Sequence, residues 1–259
     1  MNRVHDTAYI AAGARLEEGV CVGPYAVIED DVEIGAGTVI GAHAVIHSFV
    51  HMGRGNRISP HVVLGGEPQD VSFKGLNTRV EIGDNNVFRE YVTIHRATKT
   101  DRPTALGSNC YLMAHAHVAH DCQVGDCVTL TNCATLAGHV QIGEQATLGG
   151  FVPVHQFVRI GAYAMVGGGT RIRKDVLPYS LAAGDPARHY RLNIVGLRRV
   201  SIVGERFRAL EAAFRALRRG RSLDGLAQTA EIALLRAWLA APSKRGLSGF
   251  VGQDEVDMP

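Results

Sequence analysis

The chain has 259 residues, 46% hydrophobic and 20% charged, which excludes a disordered polymer and suits one large domain or two modest ones. Glycine is abundant (30 residues) and aromatics are scarce (6%), which points to a turn-rich β fold over a helical enzyme with a bulky core. The net charge of +2 hides a block: residues 1–187 carry 14 Lys and Arg against 18 Asp and Glu, whereas residues 188–221 carry ten Arg against Glu205 and Glu211, a stretch suited to an acidic partner.

The N-terminus, Met1-Asn2-Arg3-Val4-His5-Asp6, has no apolar signal region behind it. No apolar run approaches the ~20 residues that span a bilayer. A cytoplasmic protein without stable membrane insertion is expected.

From Ile10 a large apolar residue recurs every six positions: Ile10, Leu16, Val22, Ile28, Ile34, Ile40, and so on to Ile172 without loss of phase. Asp70 and Thr100 are the polar exceptions. The position two before is usually small or β-branched, as at Ala14, Val20, Ala26, Cys110 and Cys122. A period of six fits neither a helix nor a simple strand, but it fits a hexapeptide parallel β-helix. Three six-residue sides close a triangular coil, and coils stack at ~4.8 Å. Residues n and n+18 are then vertical neighbours. The five cysteines are odd in number and form no C-x-x-C, so a disulfide framework or zinc knuckle is not expected. Cys110 and Cys122 read as core fillers.

Two stretches, about 65–79 and about 97–105, leave the motif while preserving its phase, and read as loops of the kind that often carry function. The motif ends near Pro178, and Gly184-Asp185-Pro186 marks a turn. Helical spacing follows at Phe207, Leu210, Phe214 and Leu217, then at Ile232, Leu235 and Leu239, with Ser222 and Asp224 as candidate N-caps. The predicted division is a β-helix domain over 1–183, a helical domain over 184–248 folded back on the prism, and a disordered acidic tail over 249–259.

The 18-residue frame gathers polar residues on one corner. His120 lies below Gly138 and Gln156; the adjacent column holds Asp121, His139 and Phe157, with His117 and His155 beside them. His120-Asp121 offers a titratable base next to a carboxylate that could orient it. Gly138 could let a thioester carbonyl approach a backbone N–H, the geometry of an oxyanion hole. Surface decoration is the plain alternative for any one histidine. A zinc site drawn from His115, His117, His120, His139 and His155, shared between subunits, is the rival for the cluster.

The segment Ala114-His115-Ala116-His117-Val118-Ala119-His120-Asp121-Cys122 resembles the core motif of the UDP-N-acetylglucosamine O-acyltransferases, which begin lipid A synthesis. Gly66-Glu67-Pro68-Gln69-Asp70, Leu136-Ala137-Gly138-His139-Val140, Val154-His155-Gln156-Phe157 and Met165-Val166-Gly167-Gly168 match in the same order, and the resemblance runs to about residue 248. It implies an all-β, left-handed parallel β-helix with a C-terminal α-helical domain, the left hand coming from the resemblance alone. It implies acyl transfer from acyl carrier protein to the 3-hydroxyl of UDP-N-acetylglucosamine, with no cofactor, no metal, no nucleic-acid partner and a homotrimer with sites between subunits. His120 would be the general base, supported by Asp121, and Gly138 the oxyanion donor. Asp70, His117, His139, His155 and Gln156 would bind the acceptor, Asn193 and Arg199 would lie near the nucleotide or carrier, and Met165 and Gly168 would measure the acyl chain. The basic block at Arg198, Arg199, Arg206 and Arg208 would dock the acidic carrier.

The chain departs from the family's pattern at Ser72, where Lys is frequent, at Val195, where Glu is frequent, and at Val200, where Arg is frequent. These departures bear on the acceptor; Lys74 is a candidate substitute for the missing lysine. A related N-acyltransferase carries an extra N-terminal domain, for which hexads starting by residue 10 leave no room. A γ-carbonic-anhydrase-like zinc enzyme and an inactive hexapeptide scaffold are the readings from other classes.

Overall fold

The structure is a computed structural model, and it describes residues 1–252. Strands of mostly two residues, separated by four residues that include a two-residue turn, wind into a three-sided left-handed β-helix. Its first face has twelve strands, and its second and third have eight each. Val27–Ile28 and His117–Val118 belong to the second face, Glu33–Ile34 and Gln141–Ile142 to the third. The period-six residues point inward: Ile28, Ile34, Ile40, Ile46, Leu64, Leu112, Leu130, Leu136 and Leu148 are fully buried. Each such side chain contributes roughly 1.5–3 kcal/mol by leaving water. Cys110 and Cys122 sit in the same interior, and burial pushes their thiols up to about 11 and about 12, so neither is a thiolate.

Parallel partners such as Val39 and Arg57 lie 18 residues apart. Arg57 and Val87 lie 30 apart, and Val87 and Tyr111 lie 24 apart. The surplus of 12 and then 6 residues is a whole number of hexads, which is why the period survives both loops. The first loop leaves after strand Val63–Gly66 and returns at Val80–Ile82; the second leaves after Thr93–His95 and returns at Thr104–Leu106. Asp70 and Thr100 lie in these loops.

Most corners are turned by non-glycine residues in the left-handed region, a conformation that a packed neighbour must hold in place, with Gly19, Gly37, Gly55 and Gly169 at the others. Between the first and second faces, Tyr25, His43, His61, Tyr91 and His115 form a ladder of parallel rings 5.0–5.1 Å apart. Between the second and third faces, Asp121, His139 and Phe157 occupy the equivalent column.

The C-terminal part begins as sheet, not helix. Ser180–Ala183 extends the first face and pairs antiparallel with Arg188–Leu192, so the expected boundary at 183/184 cuts a hairpin. Helices α1 (Ile194–Arg199), α2 (Gly204–Arg218) and α3 (Ala230–Ala240) follow, and the two predicted apolar stripes are the buried faces of α2 and α3. The cap of α3 is Thr229, whose hydroxyl accepts from the Ile232 N–H; Ser222 and Asp224 bond to each other in a turn instead. The expected tail is also corrected in part. Gly249–Phe250 is a strand beside Arg188–His189, because Phe250 packs between His189 and Phe214. Residues 253–259 lie outside the described residues. The helices are pinned to the prism by Arg159, which bonds to Asp175, to the carbonyls of Trp238 and Ala241, and lies 4.3 Å from the Trp238 ring centre.

Candidate active site

His120 follows strand His117–Val118 at the corner of the second and third faces, and only 3% of its surface is exposed. Its Nδ1 lies 2.8 Å from Asp121 Oδ2. The adjacent pair therefore does touch, and Nδ1–H donates to the carboxylate while Nε2 has no protein partner among the described residues. The second loop locks Asp121 in turn. The Thr98 N–H and hydroxyl donate to its two oxygens (3.0 and 2.7 Å), and its own N–H donates to Thr104 Oγ1 (2.7 Å). Burial pushes the Asp121 carboxyl upward, but hydrogen bonds from His120 and Thr98 outweigh it and leave it below the usual carboxylate value. Asp121 thus stays ionised and fixes the tautomer of His120.

Gly138 stands one coil above. Its N–H has no partner among the described residues, and its missing side chain leaves room for the His120 ring. His139 packs edge-on against His120 (5.3 Å between ring centres), stacks on Phe157 (4.6 Å), and holds Nε2 3.5 Å from Asp121 Oδ2. Burial lowers its pKa, Asp121 opposes this, and His120 and Lys244 add to the lowering. His117 bonds through Nδ1 to Thr93 Oγ1 (2.7 Å) and meets His95 edge-on; burial first, then those neighbouring histidines, brings its pKa down to about 4. Both rings are neutral hydrogen-bonding groups near neutral pH. His155 and Gln156 are exposed at the upper edge, with His155 Nδ1 3.2 Å from the Gln156 carbonyl.

Asp70 reaches this corner from the first loop. Hydrogen bonds from the Ser72 hydroxyl and N–H hold its carboxyl below the usual range, and the nearby His120 and His139 rings act in the same direction. Ser72, one of the departures, is therefore engaged in presenting Asp70. Sequence reading missed the residue that holds this loop. The Arg96 guanidinium lies between the rings of Phe49 (5.8 Å) and Phe73 (5.5 Å) and donates to Glu67, while the Arg96 backbone N–H donates to the Gly66 carbonyl. It also missed Thr98 and Thr104.

Other expected residues lie elsewhere on the chain. Gly150 and Gly168 are stacked at the corner between the first and second faces, and Met165 is on the first face. Asn193 is a helix cap: its Oδ1 accepts from the Gly196 N–H and its Nδ2 donates to the Tyr163 carbonyl. Arg199 ends α1, exposed. Arg206 is not a free docking cation, because it is paired with Glu231, which is buried in the helical part. The rival zinc set is not assembled in the chain: His115 belongs to the aromatic ladder at a different corner and His117 is bonded to Thr93. His120, Asp121 and His139 do bring ligand atoms within 4.8 Å of one another, but Asp121 Oδ2 already accepts from both His120 and Thr98.

Comparison with known proteins gives the chain its relatives. A family model described as UDP-N-acetylglucosamine O-acyltransferase, domain 2, matches residues 175–251, and one for bacterial transferase hexapeptide repeats matches residues 13–48, 31–66 and 103–138. Acyl-[acyl-carrier-protein]–UDP-N-acetylglucosamine O-acyltransferases from Syntrophobacter fumaroxidans and Alkalilimnicola ehrlichii are 47% and 45% identical, over 83% and 86% of this chain and 84% and 88% of theirs. The solved UDP-N-acetylglucosamine acyltransferase of Campylobacter jejuni superposes with a TM-score of 0.90 at 33% identity, covering 96% of this chain and all of that one. The Moraxella catarrhalis enzyme superposes with a TM-score of 0.86 at 37% identity, covering 94% and 98%.

Proposed function

The chain belongs to the UDP-N-acetylglucosamine O-acyltransferase family, and we propose that it moves an acyl group from acyl carrier protein to the 3-hydroxyl of UDP-N-acetylglucosamine, the first step of lipid A synthesis. The observation that carries this reading is the His120–Asp121 pair lying against Gly138, whose N–H is unpartnered. Nε2 of His120 takes the proton of the 3-hydroxyl as its oxygen attacks the thioester carbonyl. The charge that develops on the carbonyl oxygen is held by the Gly138 N–H. The tetrahedral intermediate then expels the thiolate, which takes the proton back from His120. An ester bond forms, a thioester bond breaks, and no acyl-enzyme intervenes.

His139, His117, His155, Gln156 and Asp70 surround the acceptor in this reading, which their shared corner supports. Arg199 and Asn193 serve the nucleotide or carrier end, Asn193 by shaping α1 through its cap. Met165, on the first face, and Gly168, at a different corner, limit the acyl chain, so a homotrimer, in which one copy's corner faces another's, is part of the proposal. No helix of the described residues is long and apolar enough to cross a membrane; the substrates, both water-soluble, favour a cytoplasmic enzyme. The reading gives the chain its three parts: a catalytic prism, a helical part that receives the carrier, and the tail.

The deciding experiment is His120→Ala. Turnover falls by three orders of magnitude or so, on the scale of losing a general base together with its orientation, while the circular dichroism spectrum is unchanged. A trapped acyl-cysteine or acyl-serine, or near-normal turnover, rejects the mechanism.

A further inference from the structure

Above the catalytic corner the prism changes. Ile172 bridges Val154 and Val176 bridges Ile160, so residues 155–159 below are spanned by only residues 173–175 above. The C-terminal segment fills the gap. The Asp175 N–H donates to the Gly246 carbonyl (2.8 Å), the Ser248 N–H to the Asp175 carbonyl (2.9 Å), the Ser248 hydroxyl to the Lys174 carbonyl (3.2 Å), and Arg245 Nε to the Arg173 carbonyl (3.1 Å). This sets Lys244 Nζ 4.0 Å from the centre of the Phe157 ring, on top of the His139–Phe157 stack.

The outcome is a rim of five cations at one edge: Arg171, Arg173, Lys174, Lys244 and Arg245. Arg171 approaches Asp185 at 3.5 Å. The nearby Asp175 is buried (1% exposed) and committed to Arg159. Arg173, Lys174, Lys244 and Arg245 have no carboxylate partner among the described residues, and the first three are exposed. Like charges gathered at one edge repel, and an anion at that edge relieves the repulsion. The Arg173 and Lys174 carbonyls and the Arg245 side chain take part in the hydrogen bonds above, so the backbone that carries Arg173 and Lys174 is tied to the C-terminal segment.

Height identifies the anion. From Gly138 to Arg173 and Lys174 is two coils, ~10 Å of rise, plus the length of their side chains, whereas Lys244 Nζ, 4.0 Å from the Phe157 ring, stands lower, beside the path to them. The diphosphate of a sugar nucleotide is joined to the same ring as the reacting hydroxyl, and so reaches only about a ring's width beyond His120, short of Arg173 and Lys174. The phosphopantetheine arm of an acyl carrier protein, from sulfur to phosphate, is about as long as five extended residues, on the order of 16 Å. With its thioester carbonyl at the Gly138 N–H, an arm running up the corner past Gln156 and Phe157 brings its phosphate to these cations.

We infer that the rim formed by Arg173, Lys174, Lys244 and Arg245 binds the phosphate of the donor's phosphopantetheine arm. The inference rests on the acyl-carrier reading above. It adds a contact separate from the basic block on α1 and α2: the rim holds the arm, whichever surface meets the carrier's body.

The test uses the full chain and the double variant Arg173→Gln/Lys174→Gln, whose exposed side chains make no bond that the fold needs. Three donors are compared: acyl carrier protein, acyl-phosphopantetheine and acyl-pantetheine, which lacks the phosphate. KM rises about tenfold for the first two, as expected for losing ~1.4 kcal/mol of phosphate contact, and changes less than twofold for the third. An equal rise for acyl-pantetheine overturns the inference, as does a rise confined to the carrier protein, which assigns the cations to the carrier's surface instead. Calorimetric binding of phosphopantetheine and of pantetheine, without acyl group or acceptor, separates this from the catalytic reading. Wild type holding phosphopantetheine at least tenfold more tightly than pantetheine, with the preference lost in the variant, supports the rim even if acyl transfer fails. Equal binding of the two overturns it even if transfer succeeds.

Discussion

The imidazole of His120 lies against the backbone of Gly138, so that a Cβ on residue 138 would stand 2.3 Å from His120 Cε1 and 2.6 Å from Nε2. Glycine is required there for a reason beyond donating its N–H. The ring cannot rotate away without breaking its 2.8 Å bond to Asp121, whose carboxylate is itself held twice by Thr98.

Gly138→Ala therefore displaces the base and crowds the oxyanion donor together. A displacement of about 1 Å in a reacting group costs ~10²-fold in rate, and loss of one oxyanion donor a similar factor or more. The expected result is a fall in turnover of at least ~10²-fold with the melting temperature little changed, since the collision is with the His120 ring at a corner and not with the aliphatic column inside the prism. Turnover within tenfold of wild type would show that the His120 ring does not need its place over Gly138.

Much of this site was legible before any coordinates. The six-residue period predicts that residues 120, 138 and 156 stack, and they do, because uninterrupted coils leave no freedom in vertical register. The aromatic ladder was legible in part: Tyr25, His43 and His61 are 18 apart, but Tyr91 and His115 join only once the loops' 12 and 6 extra residues are known. The period is silent about where a loop returns. Thr98 on Asp121, Arg96 between Phe49 and Phe73, and Ser72 on Asp70 all depend on loop paths with no repeat to read. It is equally silent about segments arriving from far along the chain, which is how Trp238 over Arg159, Lys244 over Phe157 and the Gly249–Phe250 strand escaped notice. The basic block read as a docking surface contains Arg206, which sequence could not pair with Glu231 across the α2–α3 turn.

Acid should loosen the junction between prism and helices through His189. This ring is 1% exposed, its Nε2 accepts from the Leu177 N–H (2.9 Å), and Nδ1 lies 3.2 Å from the Gly249 carbonyl. Burial lowers its pKa to about 4 from an unfolded value of 6.5, with the Gly249 and Ser248 contacts opposing the shift. The folded state thus binds fewer protons than the unfolded one at this site. The stability it contributes is complete above about pH 6.5 and is lost as pH falls through about 4, a change on the order of 3 kcal/mol. His189→Gln keeps an acceptor for Leu177 and a donor for Gly249 but does not titrate. Urea unfolding at pH 7.5 and pH 4.5 should show a smaller loss of stability on acidification in this variant than in wild type; equal losses would mean that His189 is not the group that senses acid.

The last prediction concerns acyl chain length. Gly150 and Gly168 are stacked at the corner between the first and second faces: a Cβ at 168 would lie 3.4 Å from the Gly150 carbonyl oxygen and 3.7 Å from its nitrogen. Neither glycine has the positive φ that would demand glycine for the turn; that conformation falls to Gly169 and, one coil lower, to Phe151. A side chain at either position would make ordinary van der Waals contact, so turn geometry does not explain the pair. What the pair does provide is a strip of bare backbone beside the exposed Phe151 ring, on which an acyl tail can lie. Each methylene so covered contributes about 0.8 kcal/mol, and the four that separate a donor of about 14 carbons from one of about 10 contribute ~3 kcal/mol, an upper limit of about 10²-fold in selectivity. Gly168→Met places a flexible apolar side chain across that strip. The ratio of kcat/KM for the longer to the shorter donor should fall by ~10-fold or more, while KM for the sugar nucleotide stays within twofold, because the substitution is at a different corner from His120 and Asp70. If wild type already prefers the shorter donor, or if the methionine variant keeps its preference for the longer one, the tail ends elsewhere than at Gly168.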